Sequence, residues 1–192
     1  MSRSDHLASW VQTALMTLGA ALLFVGVFRL NDLLFSFMEY ADRVNWVFVP
    51  AGFRVLLVLI MGLPGATGIA LGTLWLDWQD QTPMGTLEML LTALVSGFGP
   101  WLVKVWMQAR GEIDPGLCRL HAASLLKFVA VYAILNAVAH QSVRWSFDAT
   151  AAQPWLDIAP MFTGDLLGAA LVLYVFKLSL PALRVLAQRR PL

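Results

Sequence analysis

From Trp10 to Phe28 the chain carries no charged side chain, and the apolar run around it, Ser9 to Leu30, is long enough to cross a bilayer by itself. A span needs about 20 apolar residues at about 1.5 Å of helical rise each, and in hydrocarbon every backbone N–H and C=O must be bonded internally, so such a run folds as α-helix. It is too long for the apolar region of a signal peptide, and no convincing small-residue cleavage site follows, so it reads as a retained span. Further runs lie at Trp46 to Leu63, Gly65 to Trp78, Met84 to Met107, His121 to Gln141 and Ile158 to Leu180. Pro64 and Gly65 mark a tight reversal between the second and third, and Pro181 is expected to interrupt or kink the last. The expected architecture is all-α: a polytopic integral membrane bundle of about six transmembrane helices, with residues 1–192 forming a single membrane domain.

Composition agrees, with 59% hydrophobic and 13% charged residues and a mean hydropathy of +0.70, far more apolar than a soluble domain. A net charge of +1 and singly scattered Lys and Arg exclude a nucleic-acid face. One cysteine, Cys118, allows no intramolecular disulfide, and three dispersed histidines without C-x-x-C or H-E-x-x-H spacing predict neither a metal site nor a cofactor. GLPGATG has only a superficial likeness to a phosphate loop, since no Lys follows Gly68 and no strand precedes it.

Basic residues near the span ends set orientation. Arg3, Lys104, Arg110, Arg119, Arg184, Arg189 and Arg190 fall on one face, while Asp32, Glu39, Asp42, Asp77, Asp80, Asp148 and Asp157 fall on the other, so both termini are expected in the cytoplasm and Cys118 reduced. Lys127 and Lys177 read as snorkelling residues near helix ends. Asn31 to Asn45 repeats Leu33, Leu34, Phe37 and Met38 at helical spacing, which suggests a short helix in the outer interface, an anchor in preference to a lid.

Ionisable groups inside the spans demand an account, because a charge at bilayer centre costs about 2.5 to 3.5 kcal/mol on insertion scales. Asp165 lies in the sixth span and Arg54 in the second, each about 10 to 12 Å below the outer surface at the helical rise. Their common depth predicts an ion pair or a shared polar pocket. Residues four apart share a helix face, so Tyr132, Asn136, His140 and Arg144 form one polar stripe, and Glu88, Thr92 and Ser96 another. Together they describe a funnel opening outward, with Arg54, Asp165, Asn136, His140, Glu88, Tyr132 and Arg144 as candidate ligand-binding residues. The same groups also fit a structural staple with interhelical hydrogen bonds. Gly68 and Gly72, and Gly164 and Gly168, form G-x-x-x-G pairs expected at close helix contacts, while GFGP, Gly97 to Pro100, and Pro50 with Gly52 are expected to kink their helices.

Val44 to Trp75, with its aromatic, proline, glycine, apolar helix, Pro-Gly reversal and Leu-Gly pair, resembles the signature of the MASE1 family of bacterial membrane-associated sensor domains. Met161 to Leu178, with Gly164, Asp165 and Gly168, looks like that family's closing helix. The resemblance implies a sensory module of the bacterial cytoplasmic membrane that usually feeds a kinase or cyclase domain, with Pro50, Gly52, Gly72, Gly164, Asp165 and Gly168 carried over and Arg54 outside the pattern. No output domain follows Pro181, and the chain is shorter than typical members, so a signal is expected to pass to a separate protein partner or through a homo-oligomer. The expected function is a sensor-like, non-enzymatic membrane protein that binds a small molecule from the extracytoplasmic side. A small transporter or substrate-capture subunit, or a scaffold within a larger complex, are the alternatives.

Overall fold

The computed structural model describes residues 3–41, 44–80, 84–117, 121–147 and 154–188. Cys118, Arg119, Asp42, Asp148, Arg189 and Arg190 lie outside them. The described residues form six α-helices: α1 (Arg3–Phe35), α2 (Val49–Met61), α3 (Leu63–Gln79), α4 (Thr86–Ala109), α5 (Ala122–Phe147) and α6 (Pro154–Gln188). Each expected span coincides with one of them. Four, α1, α4, α5 and α6, contain segments long and apolar enough to cross a membrane. Helix α2, with 13 residues, is about 20 Å long and α3, with 17, about 26 Å, both shorter than a hydrocarbon core of about 30 Å.

The helices alternate in direction. Gly68 and Gly72 of α3 meet Ala20 and Phe24 of α1 in the same order, so these two run parallel. Ser96 and Gly99 of α4 meet His140 and Tyr132 of α5, and Asn136 and Gln141 of α5 meet Asp165 and Met161 of α6, in opposite order in both cases, so each pair is antiparallel. The start of α1 and the end of α6 therefore emerge at one end of the bundle, and α2 lies innermost, packed on α1, α3, α4 and α6.

Local chemistry explains the joints. The reversal between α2 and α3 turns on Gly62, whose φ of 63° belongs to the left-handed region, while Pro64 and Gly65 stand inside the first turn of α3. Proline is favoured there because its missing N–H is an orphan of the first turn in any case. Pro100 and Pro181 do not interrupt their helices, since α4 runs to Ala109 and α6 to Gln188; a proline forfeits one backbone bond, and the intact turns on either side hold the helix. Helix α2 likewise runs unbroken past Pro50 and Gly52.

Glycines set the closest approaches. A Cβ on Gly68 would lie 2.5 Å from the Thr17 carbonyl and 2.6 Å from Ala20 Cβ, and one on Gly52 would lie 2.5 Å from Val172 Cβ. Gly97 does the same for α4 against Ala66 and Ala70 of α3. Gly164 and Gly168 do not face a helix: they receive the extended segment of Asn45 and Phe48, and the Phe48 N–H donates to the Gly164 carbonyl at 3.0 Å. An incoming backbone needs the same absence of side chain as a neighbouring helix, so sequence spacing could not separate the two cases.

The segment Asn31 to Asn45 is not a separate interfacial helix. Helix α1 continues to Phe35, a 3-10 turn covers Ser36–Met38, and β1 (Glu39–Ala41) pairs antiparallel with β2 (Val44–Asn45). Tyr40 and Trp46 stack edge to face across this ribbon, 5.5 Å between ring centroids. The Leu33, Leu34 and Phe37 periodicity thus belongs to the last turns of α1 and its 3-10 cap.

Candidate functional site

At the end of the bundle opposite the two termini, where α1, α3 and α5 finish and α2, α4 and α6 begin, the helices enclose a cavity of about 330 Å³. Ser36 of the 3-10 turn and Asn45 of β2 contribute to its wall. Toward the opposite end, Val55, Leu59, Val103, Met107, Phe128 and Val129 pack into a continuous apolar cluster that closes the interior.

Arg54 projects from α2 into this cavity and is 4% exposed. Its guanidinium carbon lies 5.2 Å from the Phe24 ring centroid and 5.3 Å from that of Phe48, and its Nη1 donates to the Tyr132 hydroxyl at 3.3 Å. Aromatic faces attract a desolvated cation, so the two rings partly replace the hydration that burial removes. The Nε donor has no hydrogen-bond partner. Asp165, 1% exposed, enters from α6, and its Oδ2 accepts from Asn136 Nδ2 at 2.7 Å. Among the described residues no ion pair within 4.0 Å joins Arg54 to Asp165, so the shared pocket is realised and the direct pair is not. Both side chains line the cavity, and the guanidinium acts on the carboxylate through space without an ion-pair contact.

His140 lines the cavity and its Nε2 lies 3.3 Å from Ser96 Oγ, another lining group. Ser96 sits in the interior of α4, where the backbone N–H groups are committed to the helix. Tyr132 and Asn136 are fully buried and stand behind the lining, holding Arg54 and Asp165. Glu88 and Arg144 are not on the cavity wall. Each lies one helical turn, about 6 Å, beyond Thr92 and His140, past the cavity mouth.

Helix α3 supplies what sequence reasoning missed. Thr73, Asp77 and Asp80 line the cavity, as does Asp32 from α1. The sequence placed these aspartates among surface charges, although Thr73 and Asp77, four apart, already mark a polar face on an apolar helix. Arg29 of α1 binds Asp80 through two donors, at 2.6 and 3.2 Å, and Gln79 at 3.0 Å, tying α1 to α3 at the rim. Among the described residues no three His, Cys, Asp or Glu side chains gather closely enough to hold a metal ion, so the carboxylates are spread around the wall.

Lys104, expected as an orientation charge, reaches inward: its Nζ donates to the carbonyls of Val58, which also accepts from the Gly62 N–H, and Leu59 at 3.2 and 3.1 Å, placing a cation at the C-terminal end of α2. Lys127 does not simply snorkel, but pairs with Glu112 at 2.7 Å, and Arg110 adds a bond to the same carboxylate at 3.1 Å. No protein-family model, characterised protein or solved structure matches the chain.

Proposed function

We propose that this chain is a sensor-like protein of the bacterial cytoplasmic membrane that binds a small polar molecule from the extracytoplasmic side and signals to a separate protein partner. The observation that carries the reading is a pair of opposite charges, Arg54 and Asp165, both nearly fully buried, turned into one cavity and each held by a neutral partner. A structural staple would be expected to bring such charges together, because an uncompensated charge in a low-dielectric site is costly. In this reading α2 and α3 complete six crossings as a shielded hairpin: the hairpin tip at Gly62 reaches Lys104, deep along α4. Both termini then lie in the cytoplasm. The two stretches that carry the MASE1 resemblance pack on each other, Gly164 and Gly168 receiving Asn45 and Phe48, which adds support.

The apolar cluster closing the far half of the bundle favours a receptor over an open pore. A ligand signals only by binding two helix packings with different affinity, and the segment that brings Ser36 and Asn45 to the wall and the short α2 that carries Arg54 are the elements such binding would bias. Mass spectrometry of the protein released from detergent is expected to detect a small-molecule adduct in the natural chain that is lost in Asp165→Asn with folding intact. Accumulation of that solute in reconstituted vesicles would favour transport instead. Loss of expression in Asp165→Asn, with no adduct in the natural chain, would favour the scaffold reading.

A further inference from the structure

The charges around the cavity restrict what it can hold. Among the described residues Arg54 is the one guanidinium or ammonium group on the wall, the imidazole of His140 is the other basic group there, and Asp32, Asp77, Asp80 and Asp165 are also on it. Arg29 pairs with Asp80 at the rim and acts through space on Asp32, so on the wall itself one guanidinium stands among four carboxylates of which Asp80 is already paired. A simple anion would meet Arg54 and be repelled by the carboxylates around it. A simple cation would satisfy carboxylates and leave Arg54 as a buried like charge, with Nε still unbonded. A neutral polyol would compensate neither. A metal ion has no cluster of ligands to share.

Resting on the reading of the cavity as a ligand site, we propose that its ligand is a small zwitterion of the amino-acid class, with its carboxylate on Arg54 and its ammonium on Asp165. The geometry supports both ends. The Phe24 and Phe48 rings hold the guanidinium plane and Tyr132 fixes Nη1, which leaves Nη2 to donate a charge-assisted hydrogen bond to a carboxylate. Asn136 fixes one oxygen of Asp165 and orients the carboxylate, which keeps acceptor capacity for an ammonium. The site thus presents two opposite charges to one cavity, each held by a neutral side chain and neither in an ion-pair contact within 4.0 Å, so each end of the ligand meets a charge of opposite sign.

The test is binding to the full chain in lipid nanodiscs, by calorimetry and thermal shift, with free α-amino acids, the matching amines lacking the carboxylate, the matching acids lacking the amine, and glycerol and xylitol. At least one amino acid is expected to bind, and removing either charged group from it should weaken binding about ten- to a hundredfold, the range for hydrogen bonds to charged groups. Arg54→Gln and Asp165→Asn should each weaken the amino acid by a similar factor, while Gly19→Ala, whose added methyl meets nothing within 4 Å, should leave it unchanged. Binding of amines, acids or polyols as tightly as amino acids would overturn the zwitterion and leave the small-ligand reading standing. Binding by none of the four classes would overturn the zwitterion whatever the variants do, and the adduct experiment then decides the broader reading separately.

Discussion

The Arg54 Nη1 donates to the Tyr132 hydroxyl at 3.3 Å, and that phenol is the one polar side chain bonded to a guanidinium otherwise clasped by Phe24 and Phe48. Removing the hydroxyl should therefore be felt through the arginine. Tyr132→Phe is expected to cost about 0.6 to 1.7 kcal/mol, the range for polar contacts between membrane helices, in thermal unfolding of the detergent-solubilised chain. In an Arg54→Met background the same change should cost close to nothing. Equal losses in both backgrounds would show that the phenol serves some other partner.

Gly68 and Gly26 make an opposed pair. A side chain at Gly68 meets the backbone of α1 at Thr17 and Ala21, whereas a Cβ at Gly26 meets nothing within 4 Å. Gly68→Val should destabilise by about 1 to 3 kcal/mol through overpacking, while Gly26→Ala should stabilise by about 0.4 to 1 kcal/mol by restricting the unfolded chain. Unfolding midpoints of the two variants moving in the same direction would contradict the α1 and α3 packing.

Lys104 holds the last carbonyls of α2. Lys104→Leu should remove the cation from the end of α2, with Val58 keeping only its bond from the Gly62 N–H, and cost up to about 2 kcal/mol, the range for a partly buried cation at a helix C-terminus. Hydrogen exchange should show the loss first at the end of α2, around Val58 to Gly62. Exchange that rises only in α4 would assign the lysine a role within its own helix.

Glu112 answers to pH. Its bond to Lys127, reinforced by Arg110, holds its carboxyl below the ordinary value for a glutamate, about 4.3. Because the folded value lies below the unfolded one, the contribution to stability is complete above about 4.3 and vanishes as pH falls through the folded value. The midpoint of unfolding should fall across that acid window in the natural chain and fall less in Glu112→Gln. Identical slopes would remove Glu112 from the acid response.

What the sequence determined by itself was whatever depends on composition along one helix: the six apolar runs that became α1 to α6, the placing of Arg54 and Asp165 toward the same end of the bundle, and the glycines that mark close approach. Those properties follow from rise per residue and from side-chain size, which need no knowledge of neighbours. What only the tertiary structure decided was rotation and partnership. A turn of each helix about its own axis sends Arg54 to Tyr132 and Asp165 to Asn136, leaves Glu88 and Arg144 beyond the mouth, and brings Asp77 and Thr73 onto the wall. Gly164 and Gly168 receive an extended strand end, and Lys104 caps a different helix, for the same reason. Hydrocarbon rewards burial of a polar group against any suitable partner, so the sequence specifies the need for a partner, and packing chooses which one.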